Sequence, residues 1–152
     1  MDDVVKIKIR HEISRIDKSL NDVGPLLNLC KIKIQPDIIE ITAAAQVLHS
    51  FYNGIESIIV LIFKYLNEKI PNDPRWHKTL LEMTFGTNSQ NIKILSDDLK
   101  VKMEEYLSFR HFIRHSYSSE LDWEIMGPLV KEILNIWIKI KNDFEVFIGK
   151  NL

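Results

Sequence analysis

The sequence predicts an all-α protein, an antiparallel bundle of about five helices. Three observations carry this. Only 5 Gly and 5 Pro interrupt 152 residues, too little punctuation for a many-turned β fold. Apolar residues recur at helical rather than alternating spacing. Hydrophobic residues make up 45% of the chain, enough for a core in a chain the size of one ordinary domain. Residues 1–152 read as a single unit, with no long linker, repeat or low-complexity tract.

The first helix is expected from about Val4 to Val23, where Ile9, Ile13, Ile16, Leu20 and Val23 form one stripe. Gly24-Pro25 kinks or ends it, and Gln35-Pro36-Asp37 is a further turn signal. The second helix is long, about Asp37 to Lys69. Its apolar face includes Ala44, Leu48, Phe51, Ile55, Ile58, Ile59, Ile62 and Leu66. A face that wide belongs to a central helix covered on more than one side, so this helix should be the most buried.

Pro71-Asn72-Asp73-Pro74 stops it. Asp73 fits an N-cap with Pro74 at the first position of a short third helix, to about Met83. Phe85 to Gln90 is polar loop. Ser96 fits the cap of the fourth helix, with Asp97 and Asp98 at its positive end. Leu99, Met103, Tyr106 and Ile113 face inward. Ser116 to Glu120 breaks the chain, and Asp122 fits the cap of a fifth helix running to about Gly149. Gly127-Pro128 argues that regular helix begins only there. Lys141 is the one polar intruder on that helix's apolar stripe.

Composition narrows function. The 20 Lys and Arg against 21 Asp and Glu give a net charge of −1, unlike a protein that coats nucleic acid through charge alone. Any contact with RNA should be local, through a patch such as Arg110 and Arg114. The lone cysteine, Cys30, excludes an intrachain disulfide and fits a reducing cytosol. Met1-Asp2-Asp3 lacks the features of a secretory signal. The longest apolar run, Ile58 to Phe63, is far short of a membrane span. The expectation is a cytoplasmic protein with no membrane partner.

The densest chemistry is RHFIRHSY, Arg110 to Tyr117. Guanidiniums grip phosphate oxygens and stay charged, and a histidine exchanges protons near neutral pH. Arg110 and Arg114 share one helical stripe, and His111 and His115 share the next. Arg110 and His115, five apart, lie roughly 140° apart around an ideal helix. They converge on one phosphate only if the helix frays at His115 or a second copy supplies one of them, as a two-fold dimer would. The same residues also fit an ordinary basic helix end meeting the helix dipole, with Tyr117 a packing residue. His111 and His115 also form an H-x3-H pair near Glu120 and Asp122. However, the glutamate of H-E-x-x-H is absent and two arginines flank the pair, which disfavours a metal.

The octapeptide also resembles a family signature, R-x4-H-x-Y with a polar residue after the arginine. That is the motif of HEPN-domain ribonucleases, the HepT-like toxins in particular. LHSFYNGIESI (Leu48 to Ile58) resembles the family's second helix with its Tyr-x-Gly-Ile-Glu pattern. RWHKTLLEMT (Arg75 to Thr84) resembles the segment that follows. FRHFIRHSYSSELDW (Phe109 to Trp123) resembles the version with histidine in place of the usual asparagine. The similarity spans roughly residues 45 to 148, in the family's block order.

The resemblance implies a HEPN-like bundle, a homodimer with both motifs lining one cleft, and a metal-independent, cofactor-free endoribonuclease toxin. Its partner would be a minimal nucleotidyltransferase antitoxin that silences it by adding AMP to Tyr117. By position, Arg110 would hold the scissile phosphate and His115 would be general base or acid. His111 would orient the arginine or the phosphate. Glu56, a recurrent glutamate of the family, would brace Arg110 or only fix the bundle. Arg114 matches no fixed motif position and is a supporting residue. The competing class is a non-catalytic HEPN-like module that binds nucleotides or partners. Retention of both Arg110 and His115 favours the enzyme, and the near-neutral charge favours the module.

Overall fold

A computed structural model describes residues 2–150, and those residues form six α-helices. They are α1 (Asp3–Asp22), α2 (Gly24–Ile32), α3 (Ile38–Tyr65), α4 (Trp76–Thr84), α5 (Lys100–Arg114) and α6 (Trp123–Lys150). Short 3-10 turns at Asp97–Leu99 and Ser118–Glu120 precede α5 and α6. Among the described residues there is no strand, only one antiparallel bridge between Phe85 and Lys93. The expected all-α bundle is what the chain forms.

The sixth helix arises at Gly24-Pro25. The pair ends α1 as expected, but it also opens α2, with Pro25 in the first turn. Proline there loses no hydrogen bond, because the first N–H groups of a helix have no acceptor within it. Leu27 and Cys30 then enter the core.

α3 begins at a capping box. Asp37 Oδ1 accepts from the Glu40 N–H and Glu40 Oε1 accepts from the Asp37 N–H, both at 2.8 Å. It stops at Tyr65, before the expected Lys69. Asn67 takes a left-handed φ of 57°. The N–H of Glu68 then reaches the carbonyl of Phe63, and that of Asn67 reaches Lys64, which closes the helix end. α3 packs against α1, α2, α4, α5 and α6. It is also long and apolar enough to cross a bilayer, yet half of its apolar stretch is buried inside the bundle. Its packing against all five other helices makes it a core helix. α6 buries as many residues as α3, so the expectation of one most-buried helix gives way to a central pair.

Phe51 of α3 joins the two sides of the core. Its ring meets Tyr106 of α5 edge-on at 5.4 Å and Trp137 of α6 at 6.1 Å. The Tyr106 hydroxyl donates to the Leu129 carbonyl at 2.7 Å, which ties α5 to α6. Lys141, the polar intruder, has a partner. Its ammonium lies 2.6 Å from Asp17 of α1, and the Trp137 indole N–H donates to the same carboxylate at 2.7 Å.

Of three expected caps, two resolve differently. Asp73 accepts from the Arg75 N–H at 2.7 Å, but this is a turn and regular helix starts at Trp76. Ser96 does not cap α5. Its N–H and hydroxyl both donate to Asp143 of α6 at 2.8 Å. Asp122 does cap α6, accepting from Glu124 at 2.9 Å. α6 therefore starts at Trp123 and carries Pro128 inside it. A side chain on Gly127 would come within 3.1 Å of the Trp123 ring, so the glycine lets that ring pack under the first turns.

Candidate functional site

On α5 the core stripe Met103, Tyr106, Phe109 ends in Arg110, whose side chain is turned inward and only 8% exposed. A buried guanidinium needs a partner. Arg110 finds it in Asn53 of α3, donating from Nε to Oδ1 at 2.6 Å. The Asn53 amide nitrogen in turn lies 3.0 Å from His49 Nε2. An amide nitrogen only donates, so His49 Nε2 is the acceptor and Nδ1 carries the proton. That Nδ1 is buried and has no hydrogen-bond partner among the described residues. Burial first, then the charges of Arg110 and Arg114, hold the His49 ring below the usual histidine pKa.

Glu56 does not brace Arg110 by hydrogen bond. Its Oε2 lies 2.7 Å from Nδ1 of His77 on α4, and both side chains are largely covered. The expected bracing role belongs to Asn53. Glu56 and Arg110 still meet through space at Tyr52. Burial drives the Tyr52 phenol up, Glu56 adds to this, and Arg110 opposes it.

The family-like stretch Tyr52 to Glu56 now has a physical reading, residue by residue. Tyr52 and Ile55 fill the core. Asn53 holds the arginine. Gly54 lets α1 approach so closely that an added Cβ would sit 2.9 Å from Ile16 Cγ1. Glu56 holds His77.

The helix does fray at His115. α5 ends at Arg114, and His115 is its C-cap at φ −119°, ψ 7°. Its ring falls on that of His111, with centroids 4.7 Å apart. Arg114 and both imidazoles are exposed. Tyr117 is 81% exposed, so it is no packing residue. Its N–H donates to Glu120 Oε1 at 2.9 Å at the start of the 3-10 turn.

A groove of about 720 Å³ runs between α4 and α5. Arg110, His111 and His77 line it, with Arg75, Lys78 and Lys100 as further cations and Glu82 and Glu104 as the acids. His115 lies one ring beyond its edge, against His111. The site is thus a cationic groove carrying imidazoles, able to bind an anion and exchange protons with it. Among the described residues no three His, Cys, Asp or Glu side chains are grouped as a metal site would need.

Sequence reading did not single out His49, Asn53 or His77 as site residues. One signal could have found two of them. His49, Asn53 and Glu56 sit four and three apart on α3, which places three polar groups on one stripe.

An all-helical bundle with an arginine–histidine groove at the end of its fifth helix is the class that fold and site define. The family model described as HepT-like protein matches residues 43–151, and the chain belongs to that family. Comparison with curated proteins and with solved structures gives no match.

Proposed function

We propose that this protein is a metal-independent endoribonuclease and the toxin of a toxin–antitoxin module. The observation that carries the reading is Arg110. A buried guanidinium, anchored through Nε by Asn53, lines a groove with two imidazoles. Anchoring one face of the fork leaves the terminal nitrogens for a phosphate, whose developing charge they neutralise without a cation. His115 exchanges a proton with the ribose hydroxyl or the leaving oxygen. The His111 ring supports His115 and faces the phosphate, while Arg114 adds charge beside them.

The products are a 2′,3′-cyclic phosphate and a 5′-hydroxyl. The chain acts in the cytoplasm as a homodimer. An apolar groove of about 650 Å³ between α5 and α6 supports pairing at the motif, with Phe112 and Ile125 exposed along it. The antitoxin is a minimal nucleotidyltransferase that adds AMP to Tyr117.

The test is cleavage of a mixed RNA pool in excess chelator. Wild type cuts, and Arg110→Ala and His115→Ala each lose roughly 100- to 10,000-fold while staying folded. Abolition by chelator with restoration by zinc would favour the His111–His115 pair as a metal site. Binding of RNA or nucleotide without cutting would favour the non-catalytic module.

A further inference from the structure

Beyond the arginine and histidines of the octapeptide, we infer that His77 is a second proton-transfer residue of the groove, held in its working tautomer by Glu56. This rests on the ribonuclease reading above. A carboxylate only accepts hydrogen bonds. The 2.7 Å contact to Glu56 therefore places a ring proton on Nδ1, and in the neutral ring the lone pair is then on Nε2. His77 lines the same groove as Arg110 and His111, and its side chain keeps 20% of its surface open. Trp76 stacks on the ring at 3.7 Å and restricts its rotation. Among the described residues no carboxylate fixes His111 or His115, whose rings lean on each other at the mouth. Of the three imidazoles, His77 is the one pre-set as a base.

Two imidazoles complete the chemistry. Nε2 of His77 takes the proton of the ribose 2′-hydroxyl. The 2′-oxygen bonds to phosphorus on the phosphate held by Arg110, and the P–O5′ bond breaks. The leaving 5′-oxygen takes a proton from protonated His115. His77 ends protonated and His115 neutral, and water restores both. The Glu56 carboxylate faces the charge that forms on the His77 ring, as the acid of a carboxylate–histidine pair does in acyl transfer.

The test uses His77→Gln, whose amide still donates to Glu56 but cannot carry a proton. Cleavage should fall roughly 100- to 10,000-fold with KM nearly unchanged and the unfolding midpoint close to wild type. The acid limb of the pH–rate profile should shrink to the part carried by His49, and His115→Ala should instead remove the alkaline limb. Cleavage at the wild-type rate with the acid limb intact would overturn the inference.

A second measurement does not depend on turnover. Ring-nitrogen NMR of the full chain should show His77 in the Nδ1–H form. Titration with a 2′-O-methyl oligouridine should move the His77 ring signals together with Arg110 Nε. If wild type cuts no RNA but these signals move together, the ribonuclease reading fails and His77 stands as a groove residue. Arg110 shifting while His77 stays still, or neither shifting, overturns the inference.

Discussion

Arg110 of α5 and Asn53 of α3 are joined by a 2.6 Å hydrogen bond across 57 residues of sequence. The bond fixes where the guanidinium points. The amide is itself oriented by His49 on the preceding turn. Without Asn53, Arg110 keeps its charge but loses its direction.

Asn53→Leu should therefore cost both stability and rate. A hydrogen bond to a charged group contributes about 1.5–3 kcal/mol, so urea melts should show a loss of that order. Cleavage should fall more than stability explains, because the arginine samples other rotamers. Arg110→Lys should fail similarly, since an ammonium cannot bond Asn53 and fork a phosphate at once. Full activity in folded Asn53→Leu would show that the arginine needs no anchor.

His49 makes this arrangement depend on pH. Its folded pKa lies below the ordinary 6.5, so the unfolded chain binds the extra proton more readily. Stability is then full above about 6.5 and declines as pH falls from there through the folded pKa. A protonated His49 cannot accept from Asn53, so cleavage should weaken over the same range. His49→Gln should flatten the stability slope between pH 7 and 5. An unchanged slope in urea melts at stepped pH would remove His49 from the account.

Gly54 is a packing requirement. A Cβ there meets Ile16 at 2.9 and 3.0 Å, and Ile16 is buried. Gly54→Val should destabilise by about 1–3 kcal/mol through overpacking. Ile16→Ala should cost about 2–5 kcal/mol by itself. The double variant should lose less than the two combined, because each change relieves the other. Simple additivity in the cycle would mean α1 and α3 do not press on each other here.

The helical class was legible because stripes such as Ile9, Ile13, Ile16 and Leu20 are local patterns, and all four are buried. Helix ends were less legible. Asn67 closes α3 by a backbone choice that no apolar pattern announces, and α2 is too short for a stripe to stand out. Arg110, His111 and His115 were legible because they crowd into six positions of one helix end. Their partners were not, because Asn53 and His77 arrive from other helices. Glu56 was found by resemblance, yet its partner turned out to be His77, a pairing that only tertiary packing decides. Ser96 shows the same limit. A serine before two aspartates reads as a helix cap, but Asp143, 47 residues away, takes both of its donors.

Tyr117 should be the switch. It stands two residues past His115, 81% exposed, on a 3-10 turn that an enzyme can reach. In the reaction its hydroxyl oxygen bonds to the α-phosphorus of ATP, pyrophosphate leaves, and the hydroxyl proton passes to solvent. The added phosphate is negatively charged and accepts strong hydrogen bonds. Tyr117 follows three residues after Arg114, past the end of α5, where the phosphate can occupy guanidiniums that would otherwise take RNA. Incubation with the cognate nucleotidyltransferase and ATP should add one AMP to the intact mass and abolish cleavage. Tyr117→Phe should take up no AMP and stay active in the presence of the antitoxin, with its own cleavage rate close to wild type. The same mass gain in Tyr117→Phe would put the modification on another residue. Full activity of the AMP-bearing wild type would separate modification from silencing.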